Sequence, residues 1–150
     1  MDIAIAGDHG GFELKGEITK LLDEQGLTYH DFGPHDRRDV DYPDYAEKLA
    51  TAVAAGQFRR GILICGTGQG MAISANKIRG IRAAVCHDTF SARMSREHND
   101  ANVLCLGQGV VGPGLAGDIV KTWLDTDCSD EERHRRRVKK IMALEESRDL

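Results

Sequence analysis

The chain has 150 residues, with 20 Lys and Arg against 24 Asp and Glu, so its net charge is −4 at pH 7. This length fits a single domain over residues 1–150 that is large enough to bury a core. The near balance of charge argues against nucleic acids or membrane surfaces as general partners. No apolar run approaches the ~20 residues of a membrane-spanning helix, and no signal peptide is visible, so we expect a cytoplasmic protein.

Apolar runs and helical patterns alternate along the chain. We predict strands at residues 3–6, 27–32, 61–65, 82–86 and 103–106. We predict helices at residues 12–25, from Pro43 to a stop at Gly56, at 71–77, through Phe90 and Met94, and at 115–124. A last helix covers about residues 130–146, beyond the final strand.

Strands that alternate with crossover helices predict an α/β fold with a doubly wound (Rossmann-like), five-stranded parallel sheet. In such sheets, ligands bind outside the carboxyl ends of the strands. The loops of interest are therefore those that follow the strands, at residues 7–11, 66–70, 87–88 and 107–112. The C-terminal helix has no strand of its own to cover, and we expect it to pack on a partner subunit.

The third strand ends at Cys65, and three glycines spaced two apart follow it, Gly66, Gly68 and Gly70. A glycine-rich turn between a strand and a helix presents free backbone N–H groups, which bind an anion. The same groups favour the thiolate form of Cys65, and a base beside an oxyanion cradle suggests chemistry on a carbonyl. The alternative is a small buried hydrophobic residue at this position. Thr67 fits equally a hydrogen bond to a substrate oxygen and a role as a turn residue.

Nucleotide and metal sites are not indicated by the sequence. The glycine loop lacks the Gly-Lys-Ser/Thr of a P-loop and the third glycine of a dinucleotide fingerprint. The four cysteines have no Cys-x-x-Cys spacing, which indicates reduced thiols rather than disulfides or a zinc site. They are Cys65, Cys86, Cys105 and Cys128. We therefore predict no cofactor and no metal ion.

Two polar pairs lie next to predicted strands. Asp8 and His9 follow the first strand, where they could hydrogen-bond sugar hydroxyls or move a proton near neutral pH. Asp8 could also cap the first helix. His98 and Asn99 precede the fifth strand. His98 fits a general acid and Asn99 an amide partner of a hydroxyl or enediolate oxygen, with a polar turn as the alternative.

Residues 132–140 form a basic run within an acidic protein. Arg133 and Arg137 are four residues apart, so on a helix they share one side and could clamp a phosphate. The alternative is a solvated helix face. A nucleic-acid surface is poorly supported, because no aromatic residues are interleaved with the basic ones.

Six segments resemble, in order along nearly the whole chain, the ribose-5-phosphate isomerase B family, which also holds galactose-6-phosphate isomerase subunits and allose-6-phosphate isomerases. The segments are residues 8–12, 41–43, 61–70, 80–83, 95–102 and 133–137. The resemblance implies a metal-independent aldose–ketose isomerase that interconverts ribose 5-phosphate and ribulose 5-phosphate through a cis-enediolate. Such an enzyme belongs to carbohydrate metabolism and the pentose phosphate pathway, and it needs no cofactor.

The resemblance also assigns chemistry to the residues around the glycine loop. Cys65 matches the base that moves the proton between C1 and C2 of the sugar. Some relatives use a glutamate from the following loop, but Gln69, Gly70 and Met71 carry no carboxylate here. Thr67 matches the residue that handles the substrate oxygen near the base.

The other candidate residues match positions that open the sugar ring or bind the substrate. His98 matches the acid that opens the ring, with Asp8 on the other side of the ring oxygen. The remaining matches are the amides of Gly66, Gly68, Gln69 and Gly70 in the anion hole, His9, Arg133 and Arg137 at the phosphate, and Tyr42 and Asn99 lining the site.

The resemblance implies a homodimer, or a dimer of dimers, whose active sites are shared between two subunits. The small-molecule partner is then a sugar phosphate, and neither nucleic acid nor membrane is a partner. Because Cys65, His98, Arg133 and Arg137 occur in one chain, a self-sufficient enzyme is favoured over a non-catalytic sugar-phosphate-binding subunit.

One position departs from the family pattern. Relatives commonly carry an arginine in the loop after the fifth strand, where Gly109 stands here. Its loss removes a charge-assisted phosphate contact and enlarges the site. Either Arg135 or Arg136 compensates, or the substrate is another sugar phosphate, such as a tetrose phosphate, allose 6-phosphate or galactose 6-phosphate.

Overall fold

The computed structural model describes residues 3–147. Its strands are β1 (Ile3–Gly7), β2 (Tyr29–Asp31), β3 (Arg60–Cys65), β4 (Ala83–Val85) and β5 (Val103–Gly107). Its helices are α1 (Phe12–Glu24), α2 (Tyr42–Ala54), α3 (Gln69–Ala75), α4 (Thr89–Glu97), α5 (Pro113–Asp125) and α6 (Glu132–Glu146), and a 3-10 turn at His9–Gly11 precedes α1. The alternation of strands and helices confirms the predicted α/β fold. Over these residues, no helix combines the length and the apolar character needed to cross a membrane.

The strand pairs of the sheet are all parallel, and the strand order is β2-β1-β3-β5-β4. From β1 the chain crosses first to β2 on one side and later to β3 on the other, so the direction of winding reverses between β1 and β3. The predicted five-stranded, doubly wound parallel sheet is therefore confirmed. The crevice at the carboxyl end of such a reversal is where these sheets bind their ligands.

The core forms two layers, one on each face of the sheet. In β3, Ile62 and Ile64 belong to the layer of α1, α4 and α5, while Leu63 and Cys65 belong to the layer of α2 and α3. Successive side chains of a strand point to opposite faces, so a strand that is covered on both sides must be apolar throughout. This requirement explains the unbroken apolar run in β3, whose side chains from Ile62 to Cys65 are at most 5 % exposed.

Most elements differ by one or two residues from the sequence-based expectation, and the differences at β2, β4 and α3 have a clear physical reason. β2 is shorter than residues 27–32, because it lies at the edge of the sheet with one partner strand and Leu27 is 41 % exposed. β4 covers only Ala83–Val85 of the expected 82–86 and lies at the opposite edge. α3 begins at Gln69 rather than Met71, because Gly68 adopts a left-handed conformation with φ 79° that turns the chain directly into the helix. Gln69 and the following glycine therefore lie in the first helical turn, not in the loop.

On the outer edge of β4, the backbone of its first residue, Ala83, is hydrogen-bonded by the side chain of Asn76. Asn76 accepts a hydrogen bond from Ala83 N at 2.8 Å through Oδ1 and donates one to Ala83 O at 2.9 Å through Nδ2. The amide group thus takes the place that a neighbouring strand would occupy at this residue.

The C-terminal helix α6 lies beside the β4 end of the sheet and not over either core layer. Its last turns are held by Glu145 Oε1, which accepts from Gly80 N at 2.8 Å, and by Met142 Sδ, which accepts from Arg82 Nη1 at 3.2 Å. Two large apolar side chains of this helix stay in solvent, Ile141 at 40 % and Leu144 at 63 % exposure. The expectation that α6 packs on a partner subunit stays a prediction.

Candidate active site

The loops that follow β1 and β3 meet at the point where the winding reverses. Asp8 N donates to Ile64 O at 3.2 Å, which ties the end of β1 to the end of β3. A Cβ atom on Gly10 would lie only 3.2 Å from Gly66 N, so the two loops are in close contact. This contact brings Asp8 and His9 next to the glycine loop that follows Cys65.

Cys65 is the last residue of β3, and its side chain is held by the loop that follows it. The backbone N–H of Gly68 donates to Cys65 Sγ at 3.1 Å, and the residue is 5 % exposed. The sulfur atom therefore lies against the glycine loop at the carboxyl end of β3.

Glycine is required at two positions around this loop because other groups approach its Cα atoms closely. A Cβ on Gly107 would lie 2.6 Å from the carbonyl carbon of Thr67, and a Cβ on Gly70 would lie 2.6 Å from the ring of Tyr42. Thr67 Oγ1 accepts from Gln69 N at 3.2 Å. The loop is thus packed between β5 on one side and the Tyr42 ring on the other.

The Asp8 carboxylate is 6 % exposed, and its Oδ1 atom has no hydrogen-bond partner within residues 3–147. Burial raises the pKa of Asp8, while the nearby His9 and the amides of Gly10 and Gly11 oppose that rise. The carboxylate makes no capping hydrogen bond to the turn that follows it, contrary to the alternative of a helix cap. A buried acceptor without a partner at the mouth of a crevice is suited to receive a hydrogen bond from a ligand.

His9 is exposed and is oriented by the loop before α2. Its Nδ1 atom accepts a hydrogen bond from Val40 N at 3.2 Å. In the neutral ring this contact leaves the proton on Nε2, which is then a free donor at the edge of the crevice. The Cys65 cluster consists of Asp8, His9, Tyr42, Cys65 and residues 66–70.

His98 and Asn99 lie at the other end of the sheet. They follow α4, which starts after the carboxyl end of β4 and returns to the amino end of β5. There, Gly61 N at the start of β3 donates to Asn102 O at 2.9 Å. The four residue steps from Gly61 to Cys65 span about 13 Å along the strand. Within one chain, His98 is therefore far from the thiol with which it was expected to act.

His98 instead contacts α6, and this contact was not anticipated from the sequence. Its ring stacks on that of His134, with 4.2 Å between the ring centroids and 6° between the ring planes. His134 is 5 % exposed, and burial, followed by the nearby His98, lowers its pKa. Arg133 and Arg137 lie on the same helix, so His98, Asn99, Arg133, His134 and Arg137 form a second group, the His98 cluster.

The arginines offered as replacements for the one expected at position 109 already have partners. Arg135 pairs with Asp130 at 2.6 Å and Arg136 pairs with Glu132, both on exposed parts of α6. At position 109 itself, the backbone N–H of Gly109 donates to Gly66 O at 2.9 Å. The loop after β5 therefore contacts the glycine loop through backbone hydrogen bonds.

The described residues contain free thiols and no arrangement typical of a metal site. All four cysteines are free, and three of them, Cys65, Cys86 and Cys105, are buried. Over residues 3–147, no group of three or more His, Cys, Asp and Glu side chains is placed to hold a metal ion.

Comparison with known proteins agrees with this geometry. The family model described as Ribose/Galactose Isomerase matches residues 3–141. Ribose-5-phosphate isomerase B of Escherichia coli (strain K12) is 49 % identical over 98 % of this chain and 98 % of its own length. D-erythrulose-4-phosphate isomerase of Pectobacterium atrosepticum is 48 % identical over 85 % of this chain and 84 % of its own. The structure of ribose-5-phosphate isomerase B from Clostridium thermocellum superimposes with a TM-score of 0.94 at 54 % identity, covering 98 % of this chain and 99 % of that one.

These relatives carry the names of sugar-phosphate isomerases, and the solved structure among them shares the fold of this chain. The chain belongs to the ribose/galactose isomerase family, and it is a sugar-phosphate isomerase. The resemblance recognised in the sequence is confirmed, and an enzyme is supported over a non-catalytic subunit.

Proposed function

We propose that this enzyme interconverts ribose 5-phosphate and ribulose 5-phosphate through a cis-enediolate, with Cys65 as the base. The observation that carries the proposal is the position of Cys65 Sγ, which accepts from Gly68 N–H at 3.1 Å at the edge of the glycine loop. The names of the relatives from Escherichia coli and Clostridium thermocellum support the choice of substrate.

In this reaction the Cys65 thiolate removes the proton from C2 of the open-chain aldose. The electrons of the C–H bond form the C1=C2 double bond, and the carbonyl oxygen on C1 becomes an oxyanion. Backbone amides of residues 66–70 stabilise that charge, and each such donor is worth ~3 kcal/mol in the transition state. Thr67 passes the O2 proton to O1, and Cys65 returns its proton to C1, which leaves the carbonyl at C2.

Ring opening precedes this step and uses both clusters. His98 donates a proton to the ring oxygen, and Asp8, on the other side, accepts the proton of the hydroxyl that becomes the carbonyl. The raised pKa of Asp8 suits a group that has to take up a proton. His9 together with Arg133 and Arg137 binds the phosphate, while Tyr42 and Asn99 line the site.

The distance between the two clusters leads us to assign them to different subunits of a homodimer. A groove of about 350 Å³ lies between the β4 edge and α6, and it is lined in part by Arg82, Ala83, Asn99, Ile141 and Leu144. A second copy that covers this groove buries the exposed apolar side chains of α6 and carries His98 toward the Cys65 cluster of its partner. The same contact is compatible with a dimer of dimers.

Complementation tests the shared site. Cys65→Ser and His98→Asn variants are each expected to be inactive, but in a mixed dimer one of the two sites holds both native residues. Random mixing of equal amounts yields half mixed dimers, so we expect about a quarter of the native activity. A mixture that stays as inactive as its components would contradict a shared site, and activity in either single variant would contradict the assigned base or acid.

A tetrose phosphate is the second candidate substrate. The observation in its favour is the absence of a side chain at Gly109, which removes the charge-assisted phosphate contact expected at this position. The relative from Pectobacterium atrosepticum carries the name of a tetrose-phosphate isomerase. Allose 6-phosphate and galactose 6-phosphate are the larger alternatives.

A panel of aldose and ketose phosphates, assayed with native enzyme and with Gly109→Arg, separates these candidates. If ribose 5-phosphate is the substrate, the native enzyme turns it over efficiently and the added arginine changes its KM little. Turnover confined to a shorter or longer sugar phosphate would overturn the proposed substrate. We also place the enzyme in the cytoplasm, because its four cysteines are free thiols.

A further inference from the structure

The contact between His98 and His134 has the geometry of a fixed stack. The ring centroids are 4.2 Å apart and the planes are nearly parallel, at 6°. His134 is the buried residue of α6, a helix whose other side chains are exposed or only partly buried. Among the described residues of α6, the buried side chain is therefore the one that contacts the His98 ring.

The backbone that carries His98 is held separately. Asp100 adopts φ 47°, an uncommon conformation for a non-glycine residue, and its carboxylate bonds Arg96 at 2.9 Å and Arg82 at 3.3 Å. On the other side, Ser129 N donates to Glu97 O at 2.9 Å. These contacts hold the backbone of the turn at residues 98–100. His98 can then move only by rotation of its side chain, and the stack on His134 restricts that rotation.

The charges around the pair favour a neutral His134. Burial is the main cause of its lowered pKa, and His98, Arg133 and Arg137 act in the same direction, while Glu131 alone opposes them from 4.0 Å. Two stacked imidazoles would repel each other if both were charged. A neutral His134 therefore offers a flat aromatic face against which the His98 ring packs without charge repulsion.

We infer that His134 is a positioning residue that holds the His98 ring in the orientation from which it protonates the sugar ring oxygen. The inference rests on the ring-opening role proposed for His98. His134 does not touch the substrate in this assignment and transfers no proton. It acts on kcat through His98, and it leaves phosphate binding by the neighbouring arginines unchanged.

The nature of the substrate gives this inference a specific consequence. Ribose 5-phosphate closes into a furanose ring, whereas in erythrose 4-phosphate the oxygen that would close a five-membered ring carries the phosphate. A tetrose phosphate thus needs no ring opening. Loss of the stack should slow turnover of the cyclic pentose phosphate much more than that of the open tetrose phosphate.

The test compares His134→Ala, His134→Phe and His98→Asn in the full-length enzyme, with Lys139→Ala as a control on the exposed face of α6. For ribose 5-phosphate we expect His134→Ala to lower kcat about tenfold with KM within about twofold. His134→Phe keeps a ring in the stack and should retain kcat within about threefold. The histidine ring resonances of His98 should move in His134→Ala and stay near their native positions in His134→Phe.

The outcomes separate the inference from the proposed function. Two results would show that His134 does not position His98: an inactive His98→Asn beside a native kcat in His134→Ala, or a His134→Phe as slow as His134→Ala. The proposed role of His98 as the acid would then still stand. If His98→Asn keeps native kcat, or if native enzyme does not turn over ribose 5-phosphate, the proposed function fails and the inference with it. Equal losses on erythrose 4-phosphate and ribose 5-phosphate would also overturn it.

Discussion

The Cys65 cluster and the His98 cluster are built in opposite ways. Around Cys65, backbone atoms define the geometry: the sulfur accepts from Gly68 N–H, and the loop is pressed between Gly107 and the Tyr42 ring. Around His98, side chains define it: a stacked imidazole and a turn held by ion pairs from Arg82 and Arg96. Backbone geometry follows from the fold, whereas side-chain contacts change with single substitutions.

This difference suggests how one fold keeps its chemistry and varies its substrate. In the proposed mechanism the base and its anion hole are placed by the sheet, so proton transfer between adjacent carbons would be preserved. The residues proposed as acid and phosphate ligands lie on α6 and at the end of α4, where Arg133 pairs with Glu131 at 2.8 Å and its side chain is 58 % exposed. Substitutions at such exposed positions would then match sugar length and ring form at little cost to stability.

The largest expected effect tests the base. Cys65→Ser replaces the thiol proposed as the base by a hydroxyl that is not ionised near neutral pH, so we expect kcat to fall about 10³-fold. KM should change little, because the loop amides and the phosphate ligands remain. Steady-state kinetics on ribose 5-phosphate measure both constants, and Cys128→Ser, outside both clusters, is the matched control. Native kcat in Cys65→Ser would remove the thiol from the mechanism.

The second prediction tests the backbone packing of the Cys65 cluster. In Gly70→Ala the new Cβ would lie 2.6 Å from the Tyr42 ring, so ring or loop has to move. We expect kcat/KM to fall about 10²-fold. Gly16→Ala is the control, because a Cβ there meets nothing within 4 Å and lies in α1, where it should raise the unfolding free energy slightly. A Gly70→Ala enzyme with native kinetics would mean that the loop is not tightly placed.

A smaller effect tests the exposed phosphate contacts of the His98 cluster. Arg137→Ala should raise KM about tenfold with nearly unchanged kcat, since a charge-assisted hydrogen bond is lost from ground state and transition state alike. The neutralising change Lys139→Ala on the same helix serves as the control. If both variants have the same KM as the native enzyme, the arginine is part of a solvated face.

The smallest effect concerns stability and pH. Because burial raises the pKa of Asp8 above its ordinary 3.8, the ionised form is disfavoured in the folded protein. Stability is therefore lost as the pH rises through that raised pKa, and Asp8→Asn avoids the loss. We expect the variant to have a Tm ~2–4 °C higher at pH 8, with the difference shrinking toward pH 4. Calorimetry across this range checks the sign, and a lower Tm at pH 8 would contradict it.

The sheet could be predicted from the sequence because its central strands are buried on both faces and appear as apolar runs. The edge strands were predicted less well: Leu27 lies outside β2 because an edge strand needs fewer paired residues. The first turn of α3 was assigned to the loop, since the left-handed conformation of Gly68 leaves no trace in composition.

The places of the candidate site residues in the fold could be predicted from the sequence only in part. Cys65 ends one strand and Asp8 follows another, so a parallel sheet brings them to one edge. His98 follows a helix, and only the length of α4 places it at the opposite end. His134 was missed because it lies in a run of charged residues, where nothing in the pattern distinguishes a buried imidazole from a solvated one.

The hydrogen bonds between Asn76 and the backbone of Ala83 bear on how copies of this protein meet. An open strand edge can recruit further chains, and continued recruitment leads to fibres. Here the amide group of Asn76 occupies the edge at Ala83 within the single chain. In the proposed dimer, association through this side would then depend on side-chain packing and not on strand pairing at Ala83. A subunit separated from its partner would offer no open backbone at Ala83 to a further strand.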